Sequence, residues 1–68
     1  MATGAVKAWN LDRGFGFIAN DAGKPDVFLH VKEWKAARII GEPIVGQRVE
    51  FETAEGKAGP RVTRVSLA

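Results

Sequence analysis

Five short runs with strand-like patterning, each closed by a turn signal, constrain this chain more than any other feature. They are Gly4–Asn10 (GAVKAWN), Gly14–Ala19 (GFGFIA), Val27–Val31 (VFLHV), Arg48–Thr53 (RVEFET) and Arg61–Ser66 (RVTRVS). Between them stand Leu11-Asp12, then Asn20, Asp21, Gly23 and Pro25, and later Gly56, Gly59 and Pro60, which are turn formers for distinct backbone reasons. The longest connection joins the third and fourth runs. Within it Lys32–Arg38 favours a short helical turn, ended by Gly41 and Pro43. Many short strands and no long helix predict an all-β fold, a small five-stranded antiparallel barrel. The 68 residues fit a single domain, 1–68. With no cysteine to staple it, such a domain depends on an efficient core.

Alternation decides which side of each strand that core occupies, because residues i and i+2 share a face. In VFLHV, Val27, Leu29 and Val31 form a natural inner face, which leaves Phe28 and His30 outside. In RVEFET, Val49 and Phe51 point in, and Arg48, Glu50 and Glu52 point to water. Val6 is the inward residue of the first run, and Ile18 that of the second. Gly14 and Gly16 share the side of Ile18 and permit close packing or strong curvature there. Phe15, Phe17, Phe28 and His30 are then left together on the outer face of two neighbouring strands. One exposed apolar side chain needs no explanation, but a cluster of rings does.

Lys7 and Arg13 flank that cluster, because the first strand neighbours the second. Rings interleaved with cations suit single-stranded nucleic acid: each base offers a flat face for stacking, and each phosphate takes a cation. Duplexes hide those faces. The net charge of +2 permits an anionic partner without requiring one. An enzyme is not expected, since no nucleophile–base pair or carboxylate dyad is visible. A lone histidine and no cysteine argue against a metal site, and no cofactor is expected. No stretch is apolar enough to span a membrane and no secretory signal opens the chain, so the expected compartment is the cytoplasm.

The segment KAWNLDRGFGFIAND followed by DVFLHV resembles the cold-shock domain. That family's two nucleic-acid motifs, K-G-F-G-F-I and V-F-V-H-F, stand here as RGFGFI at Arg13–Ile18 and VFLHV at Val27–Val31. GQRVEFE (46–52) and EGKAGPRVTRV (55–65) are similar to its last two strands. The resemblance implies an oligonucleotide-binding barrel that binds single-stranded RNA and DNA, commonly as an RNA chaperone working without ATP. It carries a nucleic-acid role to Lys7, Arg13, Phe15, Phe17, Phe28 and His30. Trp9, Lys57 and Arg61 are further candidates: Trp9 as a stacking ring or a partly buried barrel residue, and the two cations as phosphate contacts. Asp26 reads as structural. Three positions depart from the family. Ala8 stands where it has an exposed tryptophan, Val31 where an aromatic follows the histidine, and ARII (37–40) where a phenylalanine usually sits. Fewer stacking platforms imply weaker binding or a shorter footprint.

Trp34 reads as a core residue, with a nucleic-acid role as the alternative. Lys24, Lys32, Lys35 and Arg38 read as solvated surface. Glu50, Glu52 and Glu55 make an acidic side that a phosphate backbone avoids. A reading from a different class gives the aromatic face to a protein partner or a second copy of the chain, with nucleic-acid binding weakened or lost. The expected state is a monomer.

Overall fold

The computed structural model of the protein describes residues 2–56 and 59–68. Strands β1 (Ala2–Asn10), β2 (Phe15–Asn20) and β3 (Val27–His30) are followed by the short helix α1 (Val31–Ala36), then β4 (Arg48–Gly56) and β5 (Gly59–Leu67). The strands close into a barrel in the order β1-β2-β3-β5-β4. Four of the pairings are antiparallel, and the β3–β5 seam is parallel. The five-stranded, mainly antiparallel barrel expected from sequence is what forms, and its one parallel seam has a geometric reason. Strand directions cannot alternate all the way round a ring with an odd number of strands, so one seam must be parallel.

The interior is filled by Val6, Ile18, Val27, Leu29, Trp34, Val49, Phe51, Val62 and Val65, and among the described residues no polar or charged residue is buried with them. The inward residues inferred from alternation take their expected places except Val31. β3 ends at His30, and Val31 opens α1, half-buried. The helix therefore begins and ends earlier than the expected 32–38. Trp34 is its one buried residue; its ring lies in the core and its indole N–H donates to the Gly41 carbonyl at 2.8 Å. A tryptophan hung from a one-and-a-half-turn helix thus stoppers the barrel and pins the long connection.

Two register shifts provide curvature. In β1, Val6 faces Ile18 and Ala8 faces Phe17, so Lys7 is the extra residue. In β5, Arg64 faces Glu52 and Val62 faces Thr53, so Thr63 is extra. The second shift explains why Val62 and Val65, three apart, both face the core. The first turns the rest of β1 over: counting by twos from Val6 would bury Ala8, whereas the bulge sends Ala8 outward and Trp9 inward. No helix among the described residues is long and apolar enough to cross a membrane.

Candidate nucleic-acid interface

The β2–β3 hairpin assembles the outer aromatic face. Phe15 pairs with His30 and Phe17 with Phe28, so all four rings project from one side. Phe28 is the hub. Its ring centroid lies 5.5 Å from Phe15, 5.9 Å from Phe17 and 6.3 Å from His30, at tilts of 31°, 73° and 45°. These are edge or tilted contacts of the kind aromatic pairs favour. Phe17 and His30 are exposed, while Phe15 and Phe28 are half-buried.

The glycines of RGFGFI have separate structural tasks. A Cβ on Gly16 would lie 2.1 Å from the Ala8 carbonyl oxygen and 2.7 Å from Cε3 of Trp9. Trp9 therefore packs across the bare backbone of β2. Gly14 belongs to the turn rather than the strand, with φ of +71°, a conformation that favours glycine. The Asn10 side chain fixes the same turn by accepting from the backbone N–H groups of Asp12 and Arg13. The Gly14 carbonyl accepts from the Val31 N–H at 2.8 Å, the last rung holding β2 to β3.

His30 has a second task that the strand pattern did not show. It is the N-cap of α1, its Nδ1 accepting from the Lys32 backbone N–H at 3.0 Å. This cap is why the chain leaves the sheet at Val31. It also selects the tautomer with the proton on Nε2, at the free edge of the ring.

The candidate cations surround this face unequally. Lys7, the bulge residue, reaches Asp26 just before β3, Nζ to Oδ2 at 2.9 Å, with both side chains well exposed. An exposed pair of this kind is worth at most about 1 kcal/mol, so a phosphate can compete for the ammonium. Arg13 is exposed in the β1–β2 turn and makes no ion pair among the described residues. Arg61 is the register partner of Phe28 across the parallel seam, and it too is exposed. Lys57 lies outside the described residues. Trp9 is opposite Gly16, on the inner side, and packs against the core. It does not join the four rings, and its indole N–H is buried without a hydrogen-bond partner among the described residues. Ala8 stands exposed opposite Phe17, an empty place on the outer face.

Sequence reasoning named His30 and Arg61 as candidates but missed Lys32 and Glu33 beside them. A cleft of about 240 Å³ at the β3–β5 seam is lined by Phe28, His30, Lys32, Glu33, Arg61 and Val62. Lys32, expected as plain solvated surface, faces the site because α1 turns back beside β3. The parallel seam sets Arg61, already a candidate cation from its place after Gly59-Pro60, directly opposite Phe28. At the other end of β2, Asp21 receives the Arg48 guanidinium on both carboxylate oxygens, together with the Thr3 hydroxyl. Those hydrogen bonds hold the Asp21 carboxyl below the usual carboxylate range, Arg48 contributing most. This clamp ties the β2–β3 turn to β1 and β4, away from the rings. Among the described residues no group of three His, Asp or Glu stands together as a metal site would need.

Comparison with known proteins agrees with this geometry. Residues 2–68 match the family model described as the 'Cold-shock' DNA-binding domain. The chain is 43% identical over 70 residues to cold shock protein ScoF of Streptomyces coelicolor, covering all of both proteins. It is 41% identical over 69 residues to the cold shock-like protein CspA of Bordetella pertussis, covering 98% of each. With the cold shock-like protein CspLB of Listeria monocytogenes it shares 43% identity over 68 residues, 97% of each. A closed five-stranded barrel, the two aromatic motifs paired on its outer face and a match over nearly the whole chain place this protein in the cold-shock domain family, whose members are nucleic-acid-binding proteins.

Proposed function

We propose that this chain acts as one cold-shock domain, a monomer in the cytoplasm, that binds single-stranded RNA or DNA with little sequence preference. Bases stack on Phe15, Phe17, Phe28 and His30, and Lys7 and Arg13 hold the backbone. The protein works without chemistry. By binding open strands it draws a weak hairpin toward its open form, as a passive RNA chaperone does. The observation that carries this reading is the division of labour among the apolar residues. Among the described residues nine side chains fill the barrel without help from the outer rings, yet those rings are gathered in mutual contact around Phe28.

The test is a fluorescence-anisotropy titration of labelled dT6, rU6 and a short duplex at two salt concentrations. A labelled strand is preferable to intrinsic fluorescence because Trp34 is buried and Trp9 faces inward. Saturable binding of both single strands, weak binding of the duplex, and loss of binding in a Phe15→Ala/Phe28→Ala variant that still melts cooperatively are expected. Equal binding by that folded variant would refute the stacking face.

A further inference from the structure

The outer rings offer stacking to any base, but the cleft beside them is chemically different. It is lined by the two rings Phe28 and His30, the cations Arg61 and Lys32, and the carboxylate of Glu33. A phosphate entering it would meet Arg61 and Lys32 favourably but would be repelled by Glu33. A neutral base edge has no such conflict, provided it offers acceptors to the cations and donors to the carboxylate.

Guanine meets that requirement best among the common bases. Its O6 and N7 are adjacent acceptors, the pair that the arginine fork reads bidentately. Its N1–H and N2 amino group are adjacent donors, matched to the two oxygens of a carboxylate. Adenine and cytosine place an amino donor beside their acceptors and lack two adjacent N–H-bearing positions. Uracil and thymine have a single N–H between two carbonyls. Arg61 is held beside Phe28 by the parallel register. Lys32 and Glu33 follow directly on His30, whose ring is fixed by its bond to the Lys32 N–H. The cation fork and the carboxylate thus come from two different elements, β5 and α1, that line one cleft with the stacking rings.

We propose that the cleft at the β3–β5 seam is a guanine-preferring subsite, with Arg61 on the O6/N7 edge, Glu33 on the N1/N2 edge, and Lys32 supporting O6. The proposal rests on the stacking reading of the outer face and adds a sequence preference to it.

The experiment is a positional walk. A single guanine is moved through each place of a dT6 oligonucleotide, and the affinity of each is compared with dT6 by anisotropy. One place is expected to bind about five- to tenfold more tightly, the low end for a bidentate contact open to solvent. At that place 7-deazaguanine, which lacks N7, and hypoxanthine, which lacks the N2 amino group, should each lose most of the gain. Arg61→Gln and Glu33→Gln, checked for cooperative melting, should bring the guanine-to-thymine ratio toward one. A ratio within twofold at every place would overturn the proposal, as would a preference that survives both substitutions. Failure to bind dT6 itself would be a different result: it would remove the stacking reading and this inference with it.

Discussion

Ala8 gives the most direct test of the outer face, because filling its place should create affinity rather than destroy it. Its Cα faces that of Phe17 across β1–β2, and it is exposed. The substitution Ala8→Trp would set an indole beside Phe17 at the edge of the ring cluster. A base stacked on an aromatic side chain gains about 1–3 kcal/mol. Ordering the new side chain costs about 0.5–1.5 kcal/mol, part of it already met on folding by contact with Phe17. A net gain of about 1 kcal/mol, about fivefold in Kd, is the central expectation for dT6 and rU6, with little change for duplex. The cross-strand pair should also raise folding stability by about 0.2–1 kcal/mol, so a gain in binding could not be confused with rescue of a damaged fold. The new indole is its own reporter, quenched as the base stacks on it. Ala8→Leu controls for apolar area without a π-face and should leave affinity near the parent value. A folded Ala8→Trp protein with a Kd within twofold of the parent, or an equal gain from leucine, would refute the view that bases stack beside Phe17.

Three further outcomes follow from the geometry. Gly16→Ala forces a Cβ to 2.1 Å from the Ala8 carbonyl; overpacking of this kind costs about 3 kcal/mol or more, and thermal melting should show a Tm lower by about 10 °C or more. Log Kobs for dT6 should fall with log salt at a slope near about −2 if three phosphates are neutralised, and Arg13→Gln should flatten that slope by about 0.7; an unchanged slope would remove Arg13 from the cation track. Asp21 binds its proton less readily in the folded protein than in the unfolded chain, so its contribution is present above the ordinary aspartate range and is lost as pH falls through the lower folded value. Acid unfolding curves should therefore show Asp21→Asn less stable than the parent at neutral pH and converging with it in strong acid; parallel curves would mean that the Arg48 clamp adds nothing.

The sequence made the inner and outer faces of β2, β3 and β4 legible because those strands hold period two without interruption, and Phe15, Phe17, Phe28 and His30 fell together as the pattern required. It was less informative wherever one residue breaks the period. The bulge at Lys7 inverts Ala8 and Trp9, and the one at Thr63 puts Val62 and Val65 on one side. Nothing in KAWN or RVTRV announces an unpaired residue, because a bulge reflects the curvature of the closed barrel and not a local preference. His30 was visible as an outer ring but not as a helix cap, since histidine is not among the usual capping residues. Val31 was misplaced for the same reason. The cleft between Arg61 and Glu33 depends on a parallel seam between distant strands, and a period-two reading has no access to it.

The size of the aromatic face bears on the rival reading, in which it serves a protein partner. An aromatic side chain buries about 150–250 Å² when fully covered. Phe17 is 39% exposed, and Phe15 and Phe28 are less open. The three phenylalanines together therefore present under about 300 Å². A stable protein interface takes about 800 Å² from each partner, roughly a sixth of the 4625 Å² that this small domain exposes. The shortfall would have to come from the surroundings, which are cationic at Lys7, Arg13 and Arg61. A strand of bases has no such need. Each base requires only one ring face, successive bases can use successive rings, and the cations around them can meet the phosphates. Small platforms bordered by charge suit a flexible polyanion with flat side groups better than a rigid protein surface. If the partner were nevertheless a second copy of this chain, sedimentation would show association that rises with concentration and is abolished by Phe17→Ala; a monomer at every concentration, binding dT6, is the outcome the proposed function expects.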